Sequence, residues 1–202
     1  MGYYIRVLAE KDLSVPISQL RGRLMMEGIA VELTVEVGSD DEWVQLIIRH
    51  PDGQEVAVVE KNRVETGQLG AEEIAEFLES IEDGRPASAA AWLKGYLPTV
   101  KAIYAFQILQ GAYAGDGWKA IHAIHGELWG AAGGILQADG EGFSNLSGYH
   151  ILWQFSDHVR GPWNMAVLDD EGNWISFQMD LGNKSQRKAF LAGKVPPGAK
   201  RL

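Results

Sequence analysis

The stretch from Gly133 to Phe155 reads GGILQADGEGFSNLSGYHILWQF, and it decides how the second half of the chain is interpreted. Two apolar runs, Gly134 to Ala138 and Tyr149 to Phe155, have the composition of β-strands. About ten polar or glycine residues join them, which is at or beyond the upper end of ordinary hairpin loops. We therefore expect two strands joined by a loop that is long enough to carry a function.

Oxygen-bearing side chains crowd this loop and suggest a ligand site. Glycines between them let backbone groups approach a bound molecule closely. The EF-hand pattern is not met, because Phe143 stands where an acidic ligand belongs and no glutamate closes the loop. The candidate ligand-binding residues are Asp139, Glu141, Ser144, Asn145 and His150. The alternative, which we favour, is a bulged hairpin made of two turns that flank a short run at Phe143.

The rest of the second half predicts an antiparallel sheet with helices. Strands are expected at Lys101 to Leu109, Trp163 to Leu168 and Trp174 to Leu181, and a helix at Trp118 to Trp129. A final helix from Lys184 to Leu191 has Asn183 as its N-cap.

The first half repeats this order of elements without a residue-level repeat. It shows a strand, a helix, three alternating strands and an acidic helix that ends at Gly84. We expect the α+β class, with two sub-domains that each pack a mostly antiparallel sheet against helices. The predicted division is residues 1–84, a helical connector at 85–98, and residues 99–202.

Two histidines three residues apart, His122 and His125, lie on one predicted helix face and are candidate metal ligands. His125 also falls within the apolar face of that helix, so a hydrogen-bonded core histidine is the competing interpretation. Just before this helix, residues 115–120 (GDGWKA) match a dinucleotide-binding pattern. Asp116 would place a carboxylate against the pyrophosphate, so a helix N-cap explains it better.

Bulk composition restricts the class of protein. The apolar fraction of 46% is ordinary for a globular chain, and no apolar run approaches the roughly 20 residues that span a bilayer. A net charge of −9 opposes a nucleic-acid groove, and the chain has no cysteine for disulfides or thiolate metal sites. We expect a cytoplasmic protein with no cofactor, no nucleic-acid partner and no membrane contact.

Charge is distributed unevenly along the chain. Residues 184–201 carry six cations and no acid, whereas residues 72–83 carry six acids and no cation. These are either two solvated surfaces or surfaces that dock on each other or on a partner. Trp174 shares a predicted strand face with polar residues. The candidate partner surface comprises Trp174, Lys184, Arg187 and Lys188.

Three segments resemble segments of uncharacterised bacterial proteins: GGILQADGEGF, from Gly133 to Phe143, and the downstream strings HILWQFSD and MDLGN. The resemblance covers the second half at most and implies no activity, substrate or site. No nucleophile elbow or other catalytic motif is present in the sequence. We therefore expect a non-enzymatic interaction or binding protein, adaptor-like or immunity-like, whose partner is another protein or a second copy. The alternative is a small-ligand or metal-binding protein, or a hydrolase-like enzyme, that uses the loop from Asp139 to His150.

Overall fold

The computed structural model describes residues 2–202, which form five α-helices and ten β-strands. The helices are α1 (Ile17–Met26), α2 (Leu69–Ser80), α3 (Ala87–Tyr96), α4 (Gly117–Ala132) and α5 (Lys184–Leu191). The strands are β1 (Tyr3–Ala9), β2 (Glu32–Gly38), β3 (Trp43–Arg49), β4 (Glu55–Arg63), β5 (Ala102–Ile108), β6 (Ile135–Ala138), β7 (Gly142–Ser144), β8 (Pro162–Leu168), β9 (Trp174–Asp180) and β10 (Lys200–Arg201).

The chain divides into two compact units, and each is discontinuous in sequence. Unit 1 comprises residues 1–71 and 100–134, and unit 2 comprises residues 72–99 and 135–202. This division differs from the expected boundaries at residues 84 and 99. The reason is β5, which pairs with both β1 and β4 and so completes the sheet of unit 1.

Unit 1 is built on five antiparallel strands in the order β2-β3-β4-β5-β1. Leu46, Val59 and Phe106 stand opposite one another on three neighbouring strands, and all three are fully buried. Phe106 meets the ring of His125 on α4 at 5.4 Å, edge to face. Since alternate residues of a strand point to opposite faces, this register makes one sheet face the core that packs on α4.

The segment between β1 and α1 is bound to this sheet by four side chains of the sheet, two through hydrogen bonds and two through ion pairs. The Tyr104 hydroxyl donates to the Leu13 carbonyl at 2.6 Å, and the Trp43 indole donates to the Val15 carbonyl at 2.7 Å. Asp12 accepts an ion pair from Lys61 at 2.5 Å and another from Arg63 at 2.9 Å. Burial, followed by the nearby Asp12 charge, raises the pKa of Tyr104 to about 12, which keeps its hydroxyl a donor.

Unit 2 contains the β6-β7 hairpin and a separate three-stranded sheet in the order β10-β9-β8. One face of this sheet buries Met165, Phe177 and Met179 together with Phe190 of α5. Helix α5 begins as expected, because Asn183 Oδ1 accepts from the backbone amides of Ser185 and Gln186. These observations confirm the α+β class, with an antiparallel sheet and helices in both units.

The expected strand from Tyr149 to Phe155 is wrong. This segment is extended, but its only strand-like pairings are single bridges at His150. Its amides donate to carbonyls on several different segments, namely Phe143, Asn164, Arg85 and Glu141. Residues 141–145 run beside it, but the His150 and Trp153 amides donate to Asn164 and Arg85 instead, so a continuous ladder does not form. The other predicted strands and helices are present, with end positions shifted by a few residues.

Membrane-spanning helices are absent from residues 2–202, where no helix combines the necessary length and apolar character.

Candidate functional site

The polar loop of the opening stretch folds as two tight turns around a three-residue strand. In the first turn β6 and β7 pair through Ala138 and Gly142, and the Glu141 amide donates to the Ala138 carbonyl at 3.2 Å. In the second turn the Asn145 amide donates to the Tyr149 carbonyl at 2.8 Å. Strand β7 with Phe143 lies between them, and Phe143 packs edge to face on Phe77 of α2. The structure therefore has the two turns of the favoured interpretation, but β6 and β7 pair in continuous register from Leu136–Ser144 to Ala138–Gly142, without the expected bulge.

Asn145 is a turn-forming residue in this arrangement. Its side chain is 1% exposed, and its Oδ1 accepts from the amides of Ser147 and Tyr149 at 3.0 Å each. A side-chain oxygen that bonds amides further along the chain mimics a backbone turn. The oxygen proposed as a ligand thus already has two internal donors.

His150 lies beneath the hairpin with both ring nitrogens engaged. Nε2 lies 2.8 Å from the Glu141 carbonyl, and Nδ1 lies 3.3 Å from the Ser144 hydroxyl. A carbonyl can only accept, so Nε2 carries the proton and Nδ1 accepts from the Ser144 O–H. The centroid of the His150 ring lies 4.8 Å from that of Phe155 and 6.2 Å from that of Trp163.

Burial controls the charge of this histidine. His150 is 4% exposed, and loss of solvent lowers its pKa from 6.5 to about 4, although its hydrogen bond to the Glu141 carbonyl opposes the shift. The imidazole is therefore neutral at pH 7. A base with a pKa near 4 is a weak proton acceptor at that pH, so the geometry favours a structural role for His150 over proton transfer.

The remaining loop candidates lie at the rim of the hairpin. Asp139 and Glu141 are half-buried in the first turn, and Ser144 is half-buried at the end of β7. The structure brings Glu141, Ser144 and His150 together, but through a backbone carbonyl and a hydroxyl. The Asp139 to His150 ligand site remains a prediction.

The two helical histidines differ in their surroundings. His122 is exposed and its ring lies 5.6 Å from Trp118, whereas His125 is half-buried against Phe106. Burial, followed by the His122 charge, lowers the pKa of His125 to about 4. Within the part of the chain that the structure describes, no three His, Asp or Glu side chains are grouped as a metal site. His150 belongs to unit 2 and the α4 pair to unit 1.

The dinucleotide-like turn is explained by packing. A Cβ on Gly117 would lie 2.4 Å from the Gly111 carbonyl oxygen. The first residue of α4 must therefore be glycine, because the backbone of residue 111 approaches it too closely for a side chain. Asp116 occupies the N-cap position without a capping hydrogen bond, and its carboxylate instead pairs with Lys119 Nζ at 2.8 Å. The expected N-cap position is correct, but the expected capping hydrogen bond is not formed.

The basic segment after β9 has few internal counter-ions. Five of its six cations are exposed and form no ion pair within residues 2–202: Lys184, Lys188, Lys194, Lys200 and Arg201. Internal docking of these cations on the acidic helix α2 by salt bridges is therefore not seen in the described residues. The side chains of Glu72, Glu76 and Glu79 on α2 are exposed as well.

An aromatic cluster accompanies the basic segment in unit 2. Trp174 of β9 meets Trp92 of α3 edge to face at 5.3 Å, and Trp92 stacks on Tyr96 at 4.8 Å. All three side chains are half-buried. The sequence indicated Trp174 but not its two partners, because they precede it by more than seventy residues.

A groove of about 460 Å³ in unit 1 was not indicated by the sequence. The exposed side chains of Val44 and Leu69 lie on it beside Lys61 and Arg63. Both cations already pair with Asp12, so the groove has no free cation at this point. Its lining residues come from three separate segments, which explains why no local motif marks them.

Comparisons with known proteins give no relative for this chain. No family model matches it, and no curated protein or solved structure matches it.

Proposed function

We propose that the protein is a cytoplasmic, non-enzymatic protein-binding module, adaptor-like or immunity-like, whose basic surface binds an acidic segment. The observation that carries the proposal is the set of five exposed cations without internal counter-ions, in a chain whose net charge is −9. Clustered charge of one sign steers and orients a partner of the opposite sign. We define the basic surface as Lys184, Arg187, Lys188, Lys194, Lys200 and Arg201.

The aromatic cluster of Trp92, Tyr96 and Trp174 belongs to the same proposal. Lys200 on β10 pairs with Gln178 on β9. Gln178 lies four residues after Trp174 on the same strand. Half-exposed tryptophan and tyrosine side chains are the residue types that anchor protein interfaces. The basic surface would supply orientation, and the aromatic cluster would supply buried area.

The partner is another protein or a second copy of this chain. Helix α2 offers a suitable acidic segment, since Glu72, Glu76, Glu79 and Glu82 are exposed on it or just after it. A peptide of residues 69–83, LGAEEIAEFLESIED, is therefore a defined probe for acidic helical partners and for self-association.

Charge reversal tests the proposal. We expect Lys184→Glu combined with Lys188→Glu to weaken binding of the labelled 69–83 peptide by about 10-fold or more, because two attractive charges become repulsive. Fluorescence anisotropy at low and high salt would measure this, and wild-type binding should weaken as salt rises. The matched control is Lys11→Glu with Lys101→Glu, two exposed lysines of unit 1. Equal affinity of both double variants, or no binding to wild type, would contradict the proposal.

A second candidate, a hydrolase-like function, rests on the contact between Ser144 and His150. The Ser144 hydroxyl faces an unprotonated Nδ1, which would take the hydroxyl proton as the oxygen attacks an acyl or phosphonyl centre and expels its leaving group; His150 would be a weak base in this step, because its pKa is lowered. A fluorophosphonate probe tests it directly. Labelling that disappears in Ser144→Ala and falls strongly in His150→Asn would support catalysis, whereas an unlabelled wild-type protein would exclude this use of the pair.

A further inference from the structure

Arg187 is held more firmly than any other cation of the basic surface. Its side chain is only 16% exposed, and its guanidinium lies 4.7 Å above the ring of Trp153. Nη2 donates to the Leu181 carbonyl at 2.8 Å. An arginine that stacks on an aromatic ring and donates to backbone loses little freedom when it binds an anion. Arg187 is thus pre-organised.

Its acidic partner is held weakly by comparison. Arg187 Nη1 lies 3.4 Å from Asp157 Oδ1, and the Asp157 carboxylate is 94% exposed. Arginine and carboxylate bind most strongly as a two-pronged pair with shorter distances. A single long contact to a fully hydrated carboxylate contributes little, so Asp157 can be displaced.

The guanidinium also has unused hydrogen-bonding capacity. Arginine carries five N–H donors, and Arg187 Nε is buried without a hydrogen bond to any of residues 2–202. Nε is shielded from solvent, but the single bonds made by Nη1 and Nη2 leave a second N–H on each of these nitrogens for a further oxygen.

Other cations surround this point. Arg160 Nη1 donates to the backbone carbonyl of Asp157 at 2.9 Å, and its aliphatic portion crosses Gly182. A Cβ on Gly182 would lie 2.5 Å from Arg160 Cδ, so the glycine makes room for this arginine. Lys184 lies three residues before Arg187 on α5, which places both on one face of the helix.

We propose that Arg187, assisted by Arg160, is the oxyanion-binding point of the basic surface, and that Asp157 occupies it until a partner carboxylate displaces it. This inference rests on the proposed function and names its recognition chemistry. The ligand is an aspartate or glutamate side chain of a protein segment. A phosphoserine side chain presents the same chemistry, and the experiment separates the two.

Removal of the internal carboxylate tests the inference. We expect Asp157→Asn to raise the affinity for the 69–83 peptide about 5-fold, because the competitor and one repulsive charge are gone. The matched control is Asp170→Asn, an exposed acid on the β8-β9 turn of the same unit that is not bonded to Arg187. Arg187→Lys, which keeps the charge but loses the fork geometry, should reduce peptide affinity in a variant whose melting temperature is close to that of wild type.

A direct readout is the side-chain Nε–Hε resonance of Arg187 in NMR spectra. It should shift on addition of the peptide, and at lower peptide concentration in Asp157→Asn. A peptide with phosphoserine at the glutamate positions distinguishes the sources, and tighter binding of that peptide would overturn the choice of a carboxylate. If Asp157→Asn and Asp170→Asn bind alike while Lys184→Glu with Lys188→Glu weakens binding, this inference fails and the proposed function stands. If charge reversal has no effect, the proposed function itself fails.

Discussion

Replacement of Gly142 by alanine is expected to destabilise the protein by about 3 to 5 kcal/mol, the cost of a strained backbone plus a steric clash. Gly142 has φ +119°, a conformation that side chains rarely adopt. An added Cβ would also lie 2.4 Å from the Leu152 carbonyl and 3.4 Å from His150 Nε2. The hairpin would have to move away from the 149–155 segment. Urea unfolding monitored by tryptophan fluorescence measures the change.

Gly140 supplies the matched control for this substitution. It lies two residues away with φ +70°, and a Cβ added there would meet no atom within 4 Å. Gly140→Ala therefore carries only the backbone cost, about 1 to 2 kcal/mol. If both variants lost a similar amount of unfolding free energy, the close approach of Gly142 to Leu152 would not be the reason that position 142 requires glycine.

Acidification is the second condition with a large expected effect, and His150 contributes to it alongside His125, whose pKa is lowered to the same value. The folded-state pKa near 4 is below the unfolded value of 6.5, so the unfolded chain binds the proton more readily. Stability from this group is fully present above about pH 6.5 and is lost as the pH falls toward 4. The loss amounts to about 3 kcal/mol, from 1.36 kcal/mol for each pKa unit.

Comparison of variants separates the His150 contribution from that of His125 and from the carboxylates that titrate in the same range. Urea unfolding between pH 4 and 7.5 should give a clearly shallower pH dependence for His150→Gln than for wild type. His158→Gln should retain the wild-type dependence, because His158 is exposed on the turn after Phe155. An unchanged slope in His150→Gln would mean that His150 is not the buried neutral group described above.

Local signals in the sequence predicted most elements of the fold. The alternation of β2 to β4 and the N-cap Asn183 depend on residues close in sequence, and both predictions are confirmed. The strand expected at 149–155 failed for the opposite reason. Its apolar run is suited to a strand, but the carbonyls that satisfy its backbone come from segments that no local pattern identifies.

The candidate site was predictable in composition but not in geometry. Sequence alone marked Asn145 and His150 as polar groups in a functional loop, and folding engages both in internal hydrogen bonds. Arg187 was marked by charge, but its contact with Asp157 joins residues 30 apart. A contact between residues so far apart in sequence depends on how α5 packs, and the local spacing of residues does not predict that packing.

The position of β5 also has a consequence for synthesis of the chain. β1 to β4 leave the ribosome before β5, and β1 gains its unit 1 neighbour only when residues 102–108 emerge. Until then β1 and β4 present unpaired strand edges, which are sites of misassembly and aggregation. Residues 72–99 emerge in this interval and wait for residues 135–202 before unit 2 is whole. Synthesis therefore supplies all residues of unit 1 before those of unit 2, and α3 and most of α2 can be completed only when residues 135–202 have emerged.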